Sequence, residues 1–396
     1  MYLAAMEHRA LLVHNEPFLC EMRNVLSETL RGAYCIDAAH NSRDAIKLLE
    51  TNRFDVVVTG LDVPGMDGKQ FLAHVLLHQP DCPRVIISEY AGRLKLSQCL
   101  FVGHRYFNKP CDLKALSAFL LKLASYRDVV GNEKIRRVVG GLGSLPGPPE
   151  TFLKLEKLLS TGTSSIDDVA EIVEQDPMML AKLLQIANSA QFGLQQPVYA
   201  AVDAVQILGL VTVRVLILGL QAFTAYEKRT GKKPAPSGLW DHSVRVASKA
   251  RTIAHAQNFS SATAERAFVA GLLHDVGRIV INANAPEECA EVEELIRRCE
   301  VPSLVAETER FGATYADIGA YLLALWGIDE EVAAIVQYQD RLEAPKVTDK
   351  KALAALHVAH ADESGDAVGF PLQTKSLAKL GFPDAAHWAN DALTVL

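Results

Sequence analysis

Residues 55–68 read Asp55-Val56-Val57-Val58-Thr59-Gly60-Leu61-Asp62-Val63-Pro64-Gly65-Met66-Asp67-Gly68. The apolar run up to Thr59 is short and β-branched and runs into turn-forming residues, which predicts a buried strand followed by a loop. Working outward, similar short runs stand at Ala10–Val13, Tyr34–Ile36, Arg84–Ser88 and Arg105–Phe107. Between them lie amphipathic segments: Pro17–Leu30, Ser42–Thr51, Gly68–His78, Arg93–Leu100 and Leu113–Ser125. Five strands interleaved with five helices predict an α/β doubly wound, flavodoxin-like parallel sheet with helices on both faces. Such a sheet places its ligand site at the carboxyl ends of the strands.

The pattern changes near Asp128. Gly140-Gly141, Gly143 and Pro146-Gly147-Pro148-Pro149 mark a turn-rich linker, and the periodicity beyond it is helical. Helices are expected over Pro177–Ser189, Val211–Tyr226, Leu239–Gln257, Ala262–Val276, Tyr315–Trp326, Glu330–Gln339 and Asp349–Ala361, among others. The expected division is an α/β domain over 8–127, a linker over 128–149, an all-α domain over 150–340, and a helical extension over 341–396 packed on it.

The formal net charge of −7 is uneven: residues 1–127 carry +2 and residues 128–396 carry −9. An acidic larger half argues against broad binding to a nucleic-acid backbone. The basic stretch Glu227–Lys233 reads as a solvated loop. Seven cysteines, an odd number with no C-x-x-C spacing, read as reduced thiols. The first strand begins too early for a signal peptide, and the apolar stretch Val211–Phe223 is too short to span a bilayer. The expectation is a soluble, cytoplasmic protein with no membrane insertion.

Thr59–Gly68 resembles the loop that follows the acceptor strand of response-regulator receiver domains. The likeness covers about residues 8–127. Ser88 falls at the end of the fourth strand, where that family has its switch hydroxyl, and Lys109-Pro110 follows the fifth. The resemblance implies an aspartate that accepts a phosphoryl group, an acidic pair holding Mg²⁺, and a Lys and a hydroxyl on the transferred oxygens. Here the acceptor position is Gly60 and the acidic pair is His14-Asn15, a poor ligand set for a hard cation. Asp62 lies two residues beyond the acceptor position, already in the loop, and Asp55 opens the strand at its wrong end. The implied domain is a pseudo-receiver that keeps the fold and loses phosphotransfer, with Ser88 and Lys109 left as shape-keeping residues.

Asp176–Gly193, together with Ala204–Gly209, Trp240-Asp241-His242-Ser243, Ala270–Arg278 and Gly319–Gly327, resembles the HDOD domain of bacterial signalling proteins. The likeness covers about residues 135–340. That domain is similar to HD-type metal phosphohydrolases, which hold a divalent metal with a His, an adjacent His-Asp pair and a final Asp. His242, His274 and Asp275 stand at three of these positions, and His360 occupies the fourth. Asp362 is turned about 200° from His360 on a helix and does not stand in for it. His360 would complete a His₃-Asp set, which transition metals accept. Tyr315 and Tyr338-Gln339 stand where catalytic relatives carry further histidines. The other histidines, His357 among them, read as surface or core residues, and Trp240, Trp326 and Trp388 as core anchors.

These readings lead to a non-catalytic regulator of the two-component type, a degenerate response regulator acting through protein–protein interaction. No cofactor is expected. The expected partner is a sensor kinase or another signalling protein, with a homodimer as a further possibility. One alternative is a metal-dependent HD-type phosphohydrolase using His242, His274, Asp275 and His360. A second is a nucleotide or nucleic-acid binding regulator of gene expression, which the missing basic face and helix-turn-helix pattern disfavour.

Overall fold

The computed structural model describes residues 8–15, 18–88, 104–130, 165–175, 198–210, 237–299, 301–325, 328–343, 346–364 and 370–393, with scattered positions between 136 and 217. The expected segment Arg93–Leu100, most of the linker, most of Pro177–Ser189 and of Val211–Tyr226, the basic stretch 227–233 and Glu16 lie outside the described residues. So do the side chains of Ser88, Trp240 and Trp326. The chain divides into two units, Met1–Pro148 with Tyr321–Gly327, and Pro149–Ala320 with Ile328–Leu396.

In the first unit Val56–Gly60 (β3) is buried along its whole length, as a strand covered on both faces requires. It lies between β1 (His8–Val13) and β6 (Arg84–Ser88), with β2 (Tyr34–Ala39) and β7 (Arg105–Asn108) at the edges. All pairs of this five-stranded sheet are parallel, in the order β2-β1-β3-β6-β7. The expected doubly wound sheet is present, and its strand order reverses between β1 and β3. Around it lie α1 (Phe18–Thr29), α2 (Ser42–Thr51), α3 (Gly68–His78) and α4 (Leu113–Val129). Leu11, Val13, Val57, Phe71 and Val75 pack into one core. Each fully buried Leu or Phe there contributes about 1.5–3 kcal/mol.

Two local expectations change. The loop after β3 contains a small antiparallel hairpin, β4 (Asp62–Val63) with β5 (Met66–Asp67), turned by Gly65 at φ 99°. Helix α4 runs through Val129, four residues past its expected end, so the first residues assigned to the linker are helical. Asp112 starts α4 by accepting from the backbone of Lys114 and Ala115. The helix continues because Leu116, Leu120, Leu123 and Arg127 keep returning to the buried face.

The amino ends of the strands hold a charged network. The Asp55 carboxylate accepts from the Arg9 backbone at 2.8 Å and pairs with Arg127 at 3.0 Å and His8 at 3.6 Å. His8 also meets Asp128 at 3.1 Å. This confirms Asp55 as a residue of the wrong end of the sheet for phosphotransfer.

The second unit is helical where described. Its site rests on α6 (Ser237–Ala256), α7 (Ser261–Leu273), α8 (Val276–Asn284) and α13 (Lys350–Ser364), with α5 (Ile166–Glu174) earlier in the chain. The intervening helices are α9 (Pro286–Cys299), α10 (Ser303–Phe311), α11 (Tyr315–Leu325) and α12 (Glu330–Tyr338). Helix α6 packs along α7 and α13, and α7 also packs on α13. The single helix expected over Ala262–Val276 is broken at His274-Asp275. Asp275 leaves helical geometry at φ −98°, ψ 7°, and α8 begins after it. Gly277 meets α11 so closely that an added Cβ would sit 2.6 Å from the Gly319 nitrogen and against the Tyr315 carbonyl. No described helix is long and apolar enough to cross a membrane. The described cysteines Cys20, Cys35, Cys82, Cys111 and Cys289 are free thiols.

Candidate functional site

The receiver pocket is built by strand register. Val13 pairs with Thr59, so the next residue along, His14, comes beside Gly60 at the carboxyl end of the sheet. Gly60 pairs with Ile87, and Ser88 pairs with Asn108, which places Ser88 and Lys109 at the same end. Four of the six residues expected at the pocket, His14, Gly60, Ser88 and Lys109, therefore lie at this end in backbone position. The side chains show what happened to the acceptor space. A Cβ on Gly60 would lie 3.0 Å from both Cδ2 and Nε2 of His14, whose ring is buried. The imidazole fills the volume into which an acceptor carboxylate would project.

The His14 ring is held in place from two sides. Its Nδ1 is 3.1 Å from the Asn15 carbonyl oxygen, and its edge packs on Phe18 with centroids 5.0 Å apart. The Lys109 ammonium lies over the other part of that stack, 5.6 Å from the Phe18 centroid. Asn15 and Asp62 are exposed, Asp62 in the β4–β5 hairpin, and neither moves into the acceptor position.

The second site is a cluster of imidazoles. His242 in α6, His274 at the α7–α8 break and His360 in α13 each present a ring nitrogen within 4.8 Å of the others. The nearest ring pair is His274–His360, with centroids 4.4 Å apart. The His274 Nδ1 lies 2.7 Å from the Gly271 carbonyl, so it carries the proton and donates, leaving Nε2 as an electron-pair donor. That arrangement is the one metal-binding histidines commonly show. Both His274 Nε2 and His360 Nδ1 are buried without a hydrogen-bond partner, and the Asp275 carboxylate lies 3.5 Å from His274 Nε2. The donor set thus fits a divalent transition metal: three imidazoles with one carboxylate beside them.

The electrostatics agree with ligand chemistry. Burial, then the neighbouring His274, lowers the pKa of His242 and takes that of His360 well below the ordinary value. Both rings are therefore neutral near pH 7. Burial acts to raise the Asp275 carboxyl, but nearby cationic charge, with Arg278 among its sources, outweighs it and leaves its pKa at about 2. His357 lies one turn before His360 on the same face, yet both of its nitrogens are used. Nδ1 meets the Gln339 carbonyl at 2.8 Å, and Nε2 accepts from the Gln373 backbone at 3.0 Å. It is a core histidine, as expected from the sequence.

Other expected positions resolve as follows. The Tyr315 hydroxyl donates to Cys289 Sγ at 3.5 Å and stays outside the cluster. Gln339 donates to the His274 carbonyl at 3.0 Å and so supports the helix break. Asp362 pairs with Lys249, and Glu363 pairs with Lys249 at 2.6 Å and Arg245 at 2.9 Å. Sequence reasoning missed Phe370, whose ring stacks on His360 with centroids 3.7 Å apart and closes that side of the cluster. Its position after α13 carries no spacing signal. Residues 350–364, treated as an extension, supply part of the site.

A family model of the HDOD domain matches residues 145–342, and one of the response regulator receiver domain matches residues 10–120. An uncharacterized protein of Treponema pallidum is 23% identical over 201 residues, covering 51% of this chain and 38% of that protein. The response regulator protein FleR of Pseudomonas aeruginosa is 26% identical over 147 residues, covering 37% of this chain and 27% of that protein. The matched regions thus span well under two thirds of these curated relatives. Among solved structures, a protein of Shewanella amazonensis SB2B, provisionally named a phosphohydrolase, shares the fold at TM-score 0.51. Its identity is 23%, over 67% of this chain and 95% of that one.

Proposed function

We propose that this chain, which belongs to the HDOD domain family and carries a receiver domain ahead of it, is a signalling regulator that works without phosphotransfer and without catalysis. Receiver and HDOD domains together support a signalling regulator. The observation that carries it is the His14 imidazole in the acceptor volume at Gly60. With no carboxylate to attack a phosphoryl group and no acidic pair to hold Mg²⁺, the pocket lacks both reactant and counter-charge. Output then runs through binding of a protein partner, such as a sensor kinase or another signalling protein in the cytoplasm.

His242, His274, His360 and Asp275 are the residues that would hold a divalent metal. In HD-type chemistry such an ion polarises a phosphate oxygen and lowers the pKa of bound water. That favours a second reading, a metal-dependent phosphohydrolase. Against it, His360 replaces the final carboxylate, and the Phe370 ring covers His360.

The test is incubation of the pure full chain with acetyl phosphate and Mg²⁺, and separately with nucleotides and Mn²⁺ or Zn²⁺. The expected result is no acid-labile phosphate on the chain and no released phosphate. Nucleotide hydrolysis that disappears in His274→Ala would overturn the non-catalytic reading in favour of the phosphohydrolase.

A further inference from the structure

The three imidazoles belong to three separate elements. His242 sits in α6, His274 at the α7–α8 break, and His360 near the end of α13. An ion shared among them therefore links helices far apart in sequence. The seam between α6 and α13 carries a second tie one turn away, where Arg245 and Lys249 reach Asp362 and Glu363. Beyond α13, the Gln373 backbone bonds to His357 on the same helix face as His360. The cluster thus sits where α13 and the chain that follows it close onto the bundle.

We propose that a transition-metal ion bound by His242, His274 and His360 is the input of this regulator, and that it acts by fixing α13 against α6 and α7. The proposal rests on the preceding reading of a regulator without phosphotransfer. Two buried imidazole nitrogens without partners disfavour the metal-free closed arrangement, because each has lost its water without gaining a hydrogen bond. Coordination removes both penalties at once. A nitrogen-rich set with a single adjacent carboxylate suits Zn²⁺, Ni²⁺ or Co²⁺, whereas Mg²⁺ and Ca²⁺ require oxygen ligands. The Gly271 carbonyl fixes the His274 ring, and Phe370 fixes the face of the His360 ring, so the donors are already oriented.

The test uses the full chain, stripped with chelator and then dialysed separately against Zn²⁺, Ni²⁺ or Mg²⁺. Metal per chain is read by elemental analysis, thermal midpoint by circular dichroism, and order in α13 by hydrogen exchange of residues 350–364. The expected result is about one Zn²⁺ or Ni²⁺ per chain and none with Mg²⁺. The midpoint should rise by about 4 °C or more, and exchange across 350–364 should slow. His360→Ala should lose at least ten-fold in affinity and lose the metal-dependent rise in midpoint, and His360→Gln, closer in size, serves if the alanine variant does not fold. His387→Ala should bind as the parent does. Less than about a tenth of an ion per chain overturns the site. Stoichiometric binding with unchanged exchange in 350–364 overturns the switch. Metal-dependent nucleotide hydrolysis would overturn the underlying regulator reading instead, by a separate readout.

Discussion

The receiver pocket and the imidazole cluster fill their space in opposite ways. In the receiver, position 60 carries only a hydrogen, and the His14 ring occupies the volume beside it. In the cluster, a carboxylate position is taken by His360, another electron-pair donor of similar reach. Filling a space excludes any ligand, whereas exchanging one donor for another preserves binding capacity and changes what binds. One site is closed by packing, and the other keeps buried ring nitrogens without partners.

The contrast breaks most completely if the closed site can be reopened. Gly60→Asp alone should remain unphosphorylated by acetyl phosphate, and overpacking against His14 should cost the receiver about 1–3 kcal/mol. Adding His14→Asp and Asn15→Asp restores both the space and the acidic pair. That triple variant should acquire acid-labile phosphate, with Lys109→Ala in the same background losing it, as read on a phosphate-affinity gel. A triple variant that stays unlabelled would place the defect elsewhere than in the filled volume.

The contrast is sharpened at the cluster by His360→Asp, which supplies a second carboxylate. Competition titration should then show at least a ten-fold shift in preference from Zn²⁺ toward Mn²⁺. An unchanged preference would mean that His360 is not a donor. Gly277→Ala tests the break that presents His274: the new methyl meets α11 backbone, so a loss of about 1–3 kcal/mol in urea denaturation is expected.

The smallest effect concerns the end of the receiver opposite its closed pocket. Burial acts to raise the Asp55 carboxyl, but the facing His8, Arg127 and the Arg9 backbone outweigh it and lower its pKa to about 2, while Asp55 raises that of His8. The Asp55 contribution is complete above its unfolded pKa near 4 and is lost as pH falls toward 2. The His8 contribution is complete below about 6.5 and is lost as pH rises through its raised pKa. Receiver stability should therefore be flat between about pH 4 and 6.5 and fall on either side, with the acid fall on the order of 2 kcal/mol. His8→Gln should remove the alkaline fall, as measured by the urea midpoint of hydrogen exchange in β1 and β3.

Much of this was legible in the chain itself. Short β-branched runs alternating with amphipathic segments specify a parallel sheet, because strand and helix periods differ and each must bury its apolar face. The resemblance to receiver and HD-type motifs named Gly60, His14 and Lys109 as one site and His242, His274, Asp275 and His360 as another. Local periodicity could not show the break at His274-Asp275, since apolar spacing continues across it and the Gly277 contact that accompanies it is with a helix some forty residues on. Nor could it tell His357 from His360: both face the bundle, and only the distant Gln339 and Gln373 decide that one is satisfied and the other is not. The sequence by itself determined which side chains were lost from each site. Tertiary structure alone decided what took their place, because filling a volume and converging three nitrogens both depend on contacts between residues remote along the chain.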